Sequence, residues 1–101
     1  MYCFVVCFDM ILENVVEGDK WLTEVGVPFW ASQDCVKRAT VSKHGFSTYP
    51  KRTMMMEVTS LDALQQILSA PERLEKRREF EKYVTNEFSY VLEYMADSKK
   101  D

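Results

Sequence analysis

The chain has 101 residues, 47% of them hydrophobic, and 16 acidic against 13 basic side chains leave a formal net charge of -3. That length fits one domain with a single core, small enough that a partner chain would add usefully to its buried area. The acidic balance, with bases interleaved among acids, excludes the basic stripe of a nucleic-acid binder, and no apolar stretch approaches membrane-spanning length.

Tyr2 to Phe8 is continuously apolar and rich in aromatic and β-branched residues, which predicts a strand buried on both faces. The opening MYCFVVCFDMIL has no basic leader and no small-residue cleavage site, so it reads as a strand and not a secretion signal. Cys3 and Cys7 on one strand would sit about 13 Å apart at about 3.3 Å per residue, beyond disulfide reach. With Cys35 they read as reduced thiols of a cytoplasmic protein, and a single histidine leaves no zinc-like spacing. No metal site is expected.

From about Asn14 to Gln33 the pattern is helical, with Trp21, Val25 and Phe29 at four-residue steps. Gly26 and Pro28 predict a kink or two shorter pieces. Val36 to Phe46 alternates small apolar with polar residues, as a half-exposed or edge strand does. Ser47 to Pro50 supplies a turn, and strand three begins near Lys51. In the run TMMMEVTSLDALQQIL the period changes from strand to helix, with Met54, Met55, Met56 and Val58 followed by Leu61, Leu64, Ile67 and Leu68. Thr59 and Asp62 read as a capping-box variant at that junction. Pro71 opens a second helix running to about Asn86, with the charge run EKRREFEK as a solvated face and Leu74, Phe80, Tyr83 and Val84 as its apolar side. Phe88 to Tyr94 makes a fourth strand. The domain is expected over residues 1–95, with a frayed tail over 96–101.

Strand, helix, strand, strand, helix, strand is the split β-α-β plan: an α+β, ferredoxin-like fold with a four-stranded antiparallel sheet in the order 4-1-3-2. Strands one and three are read as parallel neighbours at its centre. Right-handed crossovers put both helices on one face, leaving an apolar helix-free face to be covered by a second copy. A four-residue loop over Ser47–Pro50 would pair His44 with Thr53, Ser42 with Met55 and Thr40 with Glu57. One face then carries Arg38, Thr40, Ser42, His44, Thr53, Met55 and Glu57, and the other Ala39, Val41, Met54, Met56 and Val58.

The passage MMMEVTSLDALQQILSAPE, within this layout, resembles the third strand and second helix of the dimeric α/β barrel superfamily, which includes stress-responsive A/B barrel, EthD-like and antibiotic-biosynthesis monooxygenase-like families. The resemblance implies a homodimer paired sheet to sheet, and a function drawn from cofactor-independent oxygenases, cyclases, isomerases, haem-degrading enzymes and proteins of no assigned activity. Haem degradation in such families uses an Asn, a Trp and a helix-borne His. Asn14, Trp21 and Trp30 are present here, but the second helix has no histidine.

His44, the only imidazole, and Glu57, a carboxylate on a central strand, are the catalytic candidates. Arg38, Thr40, Ser42, Met55, Trp30 and Tyr90 are the candidates to line a cavity between sheet faces that takes an apolar or aromatic metabolite. The competing reading of His44 is a turn residue, and that of Glu57 a salt bridge to Arg38 or Arg52. With glycine only at positions 18, 26 and 45 there is no phosphate-cradling loop, and no cofactor is expected. Two functions stand: a small cofactor-independent enzyme, or a non-catalytic ligand-binding or dimeric interaction module.

Overall fold

A computed structural model describes residues 1–46 and 49–98. β1 (Tyr2–Met10) leads through a short 3-10 turn (Leu12–Asn14) into α1 (Val15–Trp21), a π turn (Leu22–Gly26) and α2 (Val27–Ala31). β2 (Val36–Lys43) and β3 (Lys51–Val58) follow, then α3 (Leu61–Ser69), α4 (Pro71–Phe80) and β4 (Val84–Glu93). The sheet order is β2-β3-β1-β4, the ferredoxin-like plan. The loop predicted over Ser47–Pro50 and the tail predicted over 96–101 both lie partly outside the described residues.

β1 and β3 are antiparallel, not parallel, with Cys3 opposite Glu57 and Val5 opposite Met55. The reason is topological. The helical crossover makes β1 and β2 run the same way, and the hairpin then reverses β3 before it slots between them. Three boundaries also differ from expectation. β2 stops at Lys43, and Ser42 pairs with Thr53 and Thr40 with Met55, two residues away from the predicted register. An even shift preserves the faces, so Ala39, Val41, Met54, Met56 and Val58 still point at the helices. α4 ends at Phe80 because Tyr83 and Val84 are captured by the sheet: the Ile11 amide donates to the Tyr83 carbonyl at 2.9 Å, and Val84 pairs with Met10. The α3 cap is Ser60, one residue after the predicted Thr59, its hydroxyl accepting from the Ala63 amide at 3.1 Å.

The kink predicted at Gly26 and Pro28 is the π turn. The Val27 amide donates to the Leu22 carbonyl five residues back, and Pro28 has no amide with which to continue the α pattern. Phe4, Val6, Phe8 and Met10 of β1, with Met54, Met56 and Val58 of β3, pack under Leu22, Trp30, Leu64, Ile67 and Phe80. α1 can lie close to the sheet because Gly18 carries no side chain; a Cβ there would meet Met10 Cε at 2.4 Å and Tyr83 Cβ at 3.1 Å.

One charged residue enters this layer. Arg52 is buried, and its Nε and Nη2 donate to the two carboxylate oxygens of Asp19, each at 2.9 Å. The pair ties α1 to β3. Asp19→Ala should leave that guanidinium without its acid and lower unfolding free energy by about 2 to 4 kcal/mol, near the low end for a broken buried pair because Asp19 keeps some exposure. Urea melts of Asp19→Ala, Arg52→Met and the double variant check it; simple additivity would mean that the pair contributes no coupling.

Candidate functional site

The two sheet faces offer two different chemistries. On the helix-free face, β1 presents Cys3, Val5 and Cys7, and the residues opposite them on β4 are Leu92, Tyr90 and Phe88. β2 and β3 add Arg38, Thr40, Ser42, Thr53, Met55 and Glu57 to that face. Glu57 is half-buried between Arg38 and Cys3 in the register. Among the described residues no ion pair joins Glu57 to Arg38, and Arg52 is engaged by Asp19 on the opposite face. Neither partner considered from sequence therefore pairs with it.

Glu57 instead belongs to a small cluster with Cys3 and Tyr94. Burial pushes the Cys3 thiol above its ordinary pKa, the Tyr94 hydroxyl opposes that shift by hydrogen bonding, and the Glu57 charge adds to it. The Tyr94 phenol is pushed up as well, by desolvation first and then by Cys3 and Glu57. Further along the face, desolvation and Cys7 push the Tyr90 phenol up.

His44 sits just past the end of β2, exposed, with Nε2 at 2.5 Å from the Thr53 hydroxyl. That hydroxyl lies 3.6 Å from Cys7 Sγ. Thr53 and Glu57 are four residues apart on one strand, about 13 Å at about 3.3 Å per residue. The two catalytic candidates thus sit at opposite ends of the face and do not converge on one reacting atom.

The second site lies under the helices. A crevice of about 40 Å³ separates α2 and α4 from the sheet, where Phe4, Val6, Met54 and Met56 form its floor. A single water needs about 10 to 15 Å³, so the space holds about three waters. Trp21, Phe29 and Trp30 wall it, with Phe4 and Trp30 ring centroids 5.7 Å apart and Phe29 and Trp30 6.0 Å apart. Wider depressions exist, one of about 640 Å³ beside Asp9 and Lys51, but it lacks this aromatic wall. Of the side chains chosen from sequence, only Trp30 lines the crevice.

Its mouth is charged. Arg73, Lys76 and Arg77 of α4 line it together with Glu87 of β4. Glu87 reaches that side because β4 carries a bulge: the register slips between Cys7 and Asp9, and Asn86 takes a left-handed conformation with φ 52°. Arg77 forks onto Glu87, donates from Nε to Glu81 at 3.0 Å, and lies 5.6 Å from the Phe80 ring centroid. The bond to Glu87 raises its pKa further. Lys76 pairs with Glu79 at 3.4 Å, and Trp21 Nε1 donates to the same carboxylate at 3.4 Å. Arg73 makes no ion pair or side-chain hydrogen bond among the described residues.

α4 keeps most of its expected facing, with Phe80 buried and Glu75, Arg78, Glu81 and Lys82 of the charge run exposed. Lys76 and Arg77 of that run, and Arg73 before it, nevertheless line the crevice, while Leu74, predicted on the apolar side, is exposed. The spacing already carried the signal: residues 73, 76, 77 and 80 follow i, i+3, i+4, i+7 and share a stripe with Phe80.

No family model matches the sequence, and no curated protein matches it. Solved structures do share its shape. A Deinococcus radiodurans protein, proposed to be an antibiotic biosynthesis monooxygenase, superposes with a TM-score of 0.84 at 14% identity over 100% of this chain and 99% of its own. SnoaB of Streptomyces nogalater, a cofactor-independent oxygenase solved in a variant form, gives 0.84 at 16% identity over 98% and 97%. A dimeric Bacteroides fragilis protein of unknown function and ferredoxin-like fold gives 0.73 at 13% identity over 92% and 95%. At these identities the likeness establishes the fold, which is the one the resemblance of MMMEVTSLDALQQILSAPE implies.

The Cys3 cluster can be tested by titration. Glu57→Gln removes the neighbouring anion and should lower the Cys3 pKa, whereas Tyr94→Phe removes a hydrogen-bond donor and should raise it. Cysteine Cβ chemical shifts followed against pH measure both, and unchanged midpoints would dissolve the cluster. Burial remains the largest cause, so the thiol stays above its ordinary value in each variant.

Proposed function

We propose that the chain is a homodimeric, cofactor-independent enzyme of the oxygenase type, acting on a planar apolar or aromatic metabolite held against the mouth of the crevice between helices and sheet. The observation that carries this reading is the crevice itself, an aromatic-walled recess with charged groups gathered at its mouth. This seats the ligand on the opposite face of the sheet from the one predicted by sequence, with Trp30 common to both. The shared shape with a cofactor-independent oxygenase supports the reaction type. Without a cofactor, the electrons that reduce O2 must come from the substrate, so the substrate must be an easily oxidised compound such as a stabilised carbanion. For an activated methylene, CH2 and O2 become C=O and H2O: one oxygen atom enters the product and the other leaves as water.

Dimerisation rests on the other face. Phe88 is 60% exposed, Tyr90 and Leu92 are each 44% exposed, and Met55 is 39% exposed, all on the helix-free side. Covering such side chains gains about 25 cal/mol per Å², and a dimeric protein of the same fold supports a second copy as the cover. In this arrangement Glu57, Arg38, Thr40, Ser42, Met55 and Tyr90 lie at the interface and His44 at its rim. Free thiols at Cys3, Cys7 and Cys35 suit a reducing, cytoplasmic setting, and no described helix is long and apolar enough to cross a membrane.

A second reading, a non-catalytic binding module, is favoured by one observation. Glu87 at the crevice mouth and Glu79, which holds Lys76 from α4 itself, are both engaged by cations, and the only imidazole is on the other face beside Thr53. An enzyme here must therefore rely on a substrate acidic enough to ionise without a dedicated base.

Two measurements test the proposal. Light scattering should find two chains per particle at micromolar concentration, and Phe88→Glu with Leu92→Glu should yield a folded monomer; a monomeric native chain would remove the dimer. Oxygen uptake with dithranol, an anthrone with an acidic methylene, should rise above the protein-free rate and survive chelator. Dithranol that quenches tryptophan fluorescence without added oxygen uptake would favour the binding module, since both tryptophans line the crevice.

A further inference from the structure

The crevice mouth brings three cations together, and two of them are already neutralised. Arg77 is held by Glu87 and Glu81, and Lys76 by Glu79. Arg73 is different. It is half-buried and lines the same mouth, yet it has no ion pair and no side-chain hydrogen bond among the described residues. Burial lowers its pKa, and the charge of Arg77 one turn away lowers it again; Glu87 and Glu81 pull the other way, each more weakly. A guanidinium has five donors in a planar fork. Here that fork is partly desolvated, repelled by a like charge four residues along the helix, and given nothing to bind. An arginine serving only as surface would extend into water, where its charge is hydrated. Arg73 instead stays against the aromatic recess.

We infer that Arg73 is the anion-recognition residue of the crevice, and that the ligand class is a planar aromatic bearing an oxyanion: a carboxylate, phenolate or enolate. The fork donates to the oxyanion while the ring packs at the crevice mouth against half-buried Trp21 and Phe29. Arg77 cannot take this role without releasing Glu87, and Lys76 cannot without releasing Glu79. The inference rests on the crevice being the ligand site and adds the charge of the ligand to it. It also supplies what the crevice lacks. A cation that binds the ionised form of an acidic phenol or enol lowers its pKa, so the reactive anion accumulates near neutral pH without a protein base.

The test compares two probes of one shape, 2-naphthoate and the neutral 2-naphthamide, by isothermal titration calorimetry against the native chain, Arg73→Gln and Arg73→Lys. Naphthoate should bind the native chain more tightly than the amide and weaken with added salt. Arg73→Gln should weaken naphthoate by about 10- to 100-fold, as loss of a charge-assisted bond does, and leave the amide unchanged. Arg73→Lys should recover part of the loss, because the charge returns without the fork. Amide binding to each variant also shows that the crevice has kept its fold. If both probes bind the native chain and Arg73→Gln equally well, the crevice stands and Arg73 as its anion reader falls. If neither probe binds the native chain at millimolar concentration, the crevice reading falls and the inference with it.

Discussion

β1 is a strand that has to be covered twice. Cys3, Phe4, Val5 and Val6 are consecutive and all buried, so side chains on both faces of the sheet's centre are withdrawn from water. The flanking strands β3 and β4 shield it within the plane, and the helices cover Phe4, Val6, Phe8 and Met10 from above. On the other side Cys3 and Val5 are sheltered only by neighbours on β3 and β4, and those neighbours, Met55, Tyr90 and Leu92, remain exposed themselves. One strand's composition therefore sets up a filled face and an unfilled one.

The crevice arises where the helix layer fits least well. The π turn at Leu22–Gly26 adds a residue to the first crossover, and Pro28 prevents the α pattern from absorbing it. On the opposite wall, α4 offers Arg73, Lys76 and Arg77 where apolar side chains would close the gap. Long cationic side chains pack by their stems and keep their heads at the edge, so they line a recess without filling it. The bulge at Asn86 then swings Glu87 around to hold Arg77 across the mouth. Three departures from regular structure, each with its own local cause, converge on one place.

Much of this was legible in the sequence, and the parts that were not share a physical reason. The change of period between Met56 and Leu61 located β3 and α3 because burial there follows strict repeats. Sheet faces were read correctly even with the hairpin register two residues out, since an even slip moves no side chain to the other face. α4 was misread in length, and in the facing of Leu74, Lys76 and Arg77. Its composition, PERLEKRREF, has no apolar stripe beyond Leu74 and Phe80, and charge alone does not say which side meets the core. Tyr83 and Val84 joined the sheet because pairing with β1 outweighed helix continuation, a tertiary effect that local pattern does not contain. Arg52 was weighed as a partner for Glu57, although five residues along a strand place them on opposite faces; its acid, Asp19, comes from a helix whose docking no pairwise spacing reveals.

The separation of the two faces also bears on how acid-base chemistry could be organised in a chain with one histidine. Glu57 and His44 are on the sheet face away from the crevice, and about 13 Å of strand separates Glu57 from the threonine that His44 touches. A catalytic pair must reach one proton within hydrogen-bond distance, and these two side chains do not meet that condition within a single chain. At the crevice Glu87 is engaged by Arg77, and Arg73 is the lining cation with no ion pair among the described residues. A guanidinium binds anions and does not abstract protons. If the crevice holds the proposed anion, the substrate's own acidity must do the work that a buried carboxylate or imidazole does elsewhere.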